Sequence, residues 1–168
     1  MIDALPPYGY AALLVAIVAA VAYQRTLGWR TYSKLHRLKV RYLPLIDRLT
    51  PAFVVSNKRA PGDDAEYFTT VTQPVQATFE QLTAAGGSPH LINSVKRLPD
   101  GSYSDAHVVW IHDDRSQTEA YLFDAEGGTH VYAHHETSVL DPEGHLSDPQ
   151  QDGDVRGVVK DALGLETA

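Results

Sequence analysis

No cysteine occurs in the 168 residues, which excludes disulfides and thiolate metal sites. The absence suits a reducing compartment. There is no G-x-G-x-x-G and no Walker-type loop, so nucleotide binding has no basis in the chain. No G-x-S-x-G elbow frames a serine nucleophile. Positive charge is scarce, with 14 Lys and Arg against 21 Asp and Glu. The shortage is uneven. Residues 1–50 carry seven basic and two acidic side chains, net +5, while residues 51–168 carry seven against nineteen, net −12. The acidic part argues against nucleic acid as a partner, because phosphate binding needs a basic face.

What the chain does have is one uncharged run, Tyr8 to Tyr23, YGYAALLVAIVAAVAY. Extended to Leu5 and Leu27, it reaches the roughly 30 Å of a hydrocarbon core. This is the expected transmembrane anchor, with Leu13, Leu14, Ile17, Val18 and Val21 in the acyl layer. Tyr8 and Tyr10 would mark one interface, Tyr23 and Trp29 the other. Basic residues follow the span and none precedes it, so the N-terminus is expected outside and the C-terminal domain in the cytoplasm. A signal peptide would carry its charge before the apolar run instead. Ala12, Ala16 and Ala20 form a small-residue ridge that permits close helix approach.

Residues 24–49 read as a basic helix leaving the membrane. Thr31, Leu35, Leu38, Tyr42 and Leu45 make an apolar stripe, with Arg30, Lys34, Arg37 and Arg41 beside it. Such a helix packs on the domain or lies among headgroups, where its charge suits anionic lipids. Pro44 is expected to kink or end it. The chain then divides into a tail and anchor at 1–28, the juxtamembrane helix at 29–50, a linker at 51–66 and an acidic α+β domain at 67–168. Ala52 to Val55 is a further short-strand candidate.

Within the domain, Val75, Phe79 and Leu82 give a helix face that Gly86 and Gly87 end. The period then switches to two. Four strands are expected in an antiparallel meander: Leu91–Leu98, Ala106–His112, Thr118–Asp124 and Thr129–Val139. A last helix starts at Asp154 and buries Val155, Val158, Val159 and Leu163. The fold class is therefore α+β, with two helices flanking the sheet. Pairing across the turns puts Val109, Ile111, Ala120, Leu122, Val131 and Ala133 on one face. Val108, Trp110, Glu119, Tyr121, Phe123, His130, Tyr132, His134 and Glu136 take the other, with Glu119 opposite both His134 and Trp110. A one-residue slip exchanges the faces.

Two chemistries follow from that second face. Trp110, Tyr121, Phe123 and Tyr132 would form a contact surface for a protein partner if exposed. His130, His134, Glu119 and Glu136 hold zinc- or iron-type ligand atoms. Residues i, i+2 and i+4 on one strand spread over about 13 Å, so a metal would need ligands from elsewhere. The expected function is a single-pass, non-catalytic accessory protein, bound to the bilayer and to a protein partner or itself, with no cofactor. The alternatives are a metal-dependent enzyme using the His/Glu cluster, or a homo-oligomer assembled through the anchor. No catalytic residue is singled out.

Overall fold

The computed structural model describes residues 7–49, 66–91, 95–113, 115–138 and 155–165. The linker from 51 to 65 with its short-strand candidate, the acidic tail from 139 to 154 and residues 92–94 lie outside them. The elements are α1 (Pro7–Gln24), α2 (Trp29–Leu49), β1 (Tyr67–Val71), α3 (Val75–Ala84), β2 (Ser88–Pro89), β3 (Ala106–Ile111), β4 (Ser116–Ala125), β5 (Gly128–Thr137) and α4 (Val155–Leu163). Five antiparallel strands form one sheet in the order β1-β5-β4-β3-β2. The fold is α+β.

The meander β3–β4–β5 is the expected one, because short turns leave neighbouring strands no other pairing. Of the strand expected at Leu91–Leu98, residues 92–94 lie outside the described residues and the described ones form no strand; Arg97 makes an isolated bridge to Tyr103. Two other strands complete the sheet. β1 adds to the free edge of β5, and the two-residue β2 pairs with Val108 and Val109 of β3. Helix α3 ends where Gly86 takes φ +92°, a left-handed conformation that glycine adopts without a Cβ penalty. The next residue, Gly87, lies so close to Val108 and Trp110 that a Cβ would stand 2.4 and 2.8 Å from their side chains.

The register of β3 corrects the expected faces. Ala106, Val108 and Trp110 pair with Leu122, Ala120 and Thr118, whereas His107, Val109 and Ile111 pair with Tyr121, Glu119 and Gln117. Trp110 therefore lies opposite Thr118, not Glu119. The expected pair Glu119–His134 is present. One face now reads Ala106, Val108, Trp110, Ala120, Leu122, Val131 and Ala133. It forms the hydrophobic core with Val75, Phe79 and Leu82 of α3 and Val159, Ala162 and Leu163 of α4. The Trp110 indole N–H donates to Ala85 O at 3.3 Å.

Helix α2 seats on the domain through a different face from the expected stripe. Tyr32, His36 and Leu43 are buried, and Lys39 donates to Leu91 O at 2.7 Å. The Tyr32 ring packs on Phe79 at 4.8 Å, and its hydroxyl accepts from His107 N at 2.9 Å. That hydroxyl supplies a hydrogen bond at the β3 edge beyond the short β2. Trp29 also packs on Phe79, at 5.2 Å, rather than standing clear of the domain. Pro44 does not end the helix, which continues to Leu49. One missing N–H removes a single rung, and the residues on either side keep helical geometry.

Leu35, Leu38, Tyr42 and Leu45 remain exposed, with Leu38 at 52%. At about 100° per residue, α2 presents three lengthwise faces. One seats on the domain, one is this open apolar stripe, and one carries Arg30, Lys34, Arg37 and Arg41. On α1, Val15, Val18 and Tyr23 are 67%, 60% and 62% exposed. The side chains of Tyr8, Tyr10, Leu13, Leu14, Ile17 and Val21 lie outside the described set. Among the described residues, no helix is long and apolar enough to cross a membrane.

Candidate functional site: a buried histidine and carboxylate cluster

The sheet face opposite α3 and α4 is polar and yet closed. Strand alternation puts His107 (β3), Gln117, Glu119 and Tyr121 (β4), and His134 and Glu136 (β5) on this one surface. His107 is 0% exposed, Gln117 0%, Glu119 1% and Glu136 7%. Buried charge is costly unless paired and hydrogen-bonded, so the partners decide whether this face is tolerable.

Glutamine is the first answer. The Gln117 amide donates to Glu136 Oε1 at 2.6 Å and to Glu119 Oε1 at 2.9 Å, tying the two carboxylates together. The Tyr121 hydroxyl donates to Glu119 Oε2. His134 Nε2 stands 3.3 Å from Glu136 Oε2 and 3.7 Å from Glu119 Oε2. Its other nitrogen lies 3.3 Å from Lys96 Nζ, which forms an ion pair with Glu66 at 2.6 Å. With Lys96 as donor there, His134 carries its hydrogen on Nε2, facing the carboxylates. Lys96 Nζ also sits 5.1 Å from the centroid of the Tyr121 ring.

Histidine is the second, incomplete answer. His107 stacks on Tyr121 at 4.1 Å and 14°, and its Nε2 lies 3.1 Å from Glu119 Oε2. That contact lacks hydrogen-bond alignment, and both ring nitrogens of His107 are buried without a hydrogen-bond partner. The same holds for Nδ1 of His90, whose ring is 5.1 Å from that of His107. A buried polar atom without a partner costs about 1–3 kcal/mol, which applies to Nδ1 of His90 and of His107, whereas Nε2 of His107 keeps its ion contact with Glu119. Burial alone would raise the Glu119 carboxyl. The imidazoles of His107 and His134 and the Tyr121 hydroxyl outweigh it and hold the group well below the usual carboxylate range. Burial pushes His90 down to about 3, with His107 adding to the effect.

Among the described residues two groups of three could hold a metal, and they share Glu119: Glu119 with His134 and Glu136, and Glu119 with His90 and His107. Three of the four expected ligand candidates thus come together. His130 does not join them; its Nδ1 bonds Thr70 Oγ1 at 2.6 Å and its ring meets Tyr67 edge-on. His90, His107, Gln117 and Lys96 carry no short sequence motif. Only the correct register of β3 sets His107 against Tyr121, diagonal to Glu119.

The expected aromatic contact surface is not an open patch. Tyr121 and Phe123 are 1% exposed on this closed face, and Trp110 is buried on the other. Tyr132, half-buried, packs edge-on against Phe123 and Tyr67. A cavity of about 320 Å³ lies elsewhere, lined by Trp29, Arg37, Val75, Asp105 and Asp124 among others, and shares no residue with the cluster. Comparison with protein-family models, curated proteins and solved structures finds no match for the chain.

Proposed function

We propose that this is a single-pass, membrane-anchored accessory protein, non-catalytic, which holds its acidic α+β domain at the bilayer surface for a protein partner. The observation that carries the reading is the open apolar surface of the two N-terminal helices. Leu35, Leu38, Tyr42 and Leu45 form a bare stripe on α2, flanked by Arg30, Lys34, Arg37 and Arg41. Apolar side chains inserted between lipids, with cations at the phosphates, is the arrangement of an interfacial helix. The uncharged run from Tyr8 to Tyr23, extended to Leu5 and on which Val15 and Val18 are exposed, serves as the anchor, with the N-terminus outside and the domain in the cytoplasm. With Trp110, Tyr121 and Phe123 buried, the proposed partner contact is made by exposed residues of the acidic domain. An acidic exterior beside anionic headgroups also keeps the rest of the domain off the lipid.

Extraction of membranes with alkaline carbonate tests the anchor. The chain should stay in the pellet, and protease added outside whole cells should leave the domain intact. Release into the wash, or loss of the domain to external protease, overturns the reading.

A further inference from the structure

We propose that His90, His107 and Glu119 form a binding site for one divalent first-row transition metal of the zinc type. The three offer ligand atoms that all lie within 4.8 Å of one another. In a tetrahedral site with bonds near 2.0–2.1 Å, ligand atoms stand about 3.3 Å apart. His107 Nε2 and Glu119 Oε2 are already at 3.1 Å. The remaining closure falls to His90, which directly follows the two-residue β2 and is less buried than its partners.

The independent observation is the orphaned imidazole. His107 is wholly buried, aims Nε2 at the carboxylate, and has a hydrogen-bond partner on neither nitrogen. His90 Nδ1 is in the same condition. A cation between these groups would satisfy lone pairs that the protein leaves unused. The adjoining group of Glu119, His134 and Glu136 lacks this property. There Gln117 holds the carboxylates and Lys96 meets His134. Those contacts are what an outer shell supplies: they fix Glu119 while its Oε2 faces His107. Tyr121, donating to Glu119, belongs to the same shell.

The donor set decides the class of ion. Two imidazoles and one carboxylate suit zinc, iron or cobalt, whereas magnesium and calcium take oxygen almost throughout. A Cys-free chain offers no thiolate to redirect the choice. Three protein ligands leave a fourth position for water or another oxygen donor.

The experiment uses the full chain in mild detergent with any affinity tag removed. It is dialysed against Zn²⁺, then metal-free buffer, and assayed for zinc per chain. One zinc per chain is expected, and Co²⁺ in its place should give the intense visible absorption of a four-coordinate ion. His90→Gln and His107→Gln should each abolish retention, and Tyr121→Phe should weaken affinity about 10- to 100-fold. His130→Gln should change nothing. His90 is the decisive position, because its half-buried place in a loop spares the fold, which circular dichroism checks. No retained zinc overturns the site. So does zinc that survives His90→Gln in folded protein, including the case where only His134→Gln and Glu136→Gln release it.

Discussion

Along β4 the two faces of the sheet are both buried and chemically opposite. Under α3 and α4, Val108, Ala120, Leu122, Val131 and Ala133 meet Phe79 and Leu82, and close packing is the whole requirement. On the other side Glu119, Gln117 and Tyr121 are just as enclosed, but each depends on particular partners. Apolar burial is additive and forgiving of shape-conserving change. A buried polar network is all or nothing, since removing one member strands the rest. The comparison teaches that the polar face cannot be explained as core.

The sharpest way to break the comparison is one substitution on each face. Glu119→Leu takes the acceptor from Tyr121 and Gln117 and the carboxylate from beside His107, and should cost about 3–5 kcal/mol in urea unfolding. Leu122→Met, as deeply buried, should cost less than about 1.5 kcal/mol. Similar losses from both would mean that the polar face is ordinary core.

A second prediction uses acid. His36 bonds Ser104 O at 2.7 Å, and burial first of all lowers it to about 4 from 6.5. In the folded protein the ring is therefore neutral over a range where the unfolded chain takes up a proton. The contribution to stability is complete above pH 6.5 and is lost as pH falls toward 4. It amounts to about 3 kcal/mol at about 1.4 kcal/mol per pH unit. Urea unfolding at pH 7 and at pH 4 should show a loss to which His90, lowered to about 3, also contributes, and His36→Phe should shrink it by about 3 kcal/mol. An equal loss in the variant would mean that His36 contributes none of it.

These positions also mark how far the sequence could be read. The meander, α3 and α4 were legible because turn residues and apolar spacing agree there. The phase of β3 was not, because His107-Val-Val-Trp110 offers an apolar residue to either face, and only the pairing selects one. That slip hid His107, and with it the group around Glu119. Glu119, His134 and Glu136 were visible because β4 and β5 were phased correctly. β1, Tyr67–Val71, escaped notice as a short edge strand beside the linker, and β2 is two residues long and contains a proline. On α2 the apolar stripe is legible in the spacing, but Tyr32, His36, Lys39 and Leu43 carry the seat on the domain. Polar tips made that second stripe look like solvent-facing surface.

A smaller effect tests local backbone. Gly86→Ala puts a Cβ on a residue at φ +92° and should cost about 1 kcal/mol, seen as a modest fall in the urea midpoint.

The smallest effect on stability should come from the open stripe of α2, and it carries the most for function. Leu38 is 52% exposed, so Leu38→Cys should shift stability by no more than about 0.5 kcal/mol. The chain has no cysteine of its own, so a single thiol can be labelled cleanly with a polarity-sensitive fluorophore. If the stripe lies among lipids, a label at 38 should shift to the blue when the full chain enters vesicles containing anionic lipid. A label at Glu80→Cys, exposed on α3, should not. The same shift at both positions would mean that the domain as a whole meets the bilayer. No shift at 38 would separate the stripe from the membrane and leave Leu35, Leu38, Tyr42 and Leu45 to be covered by protein instead.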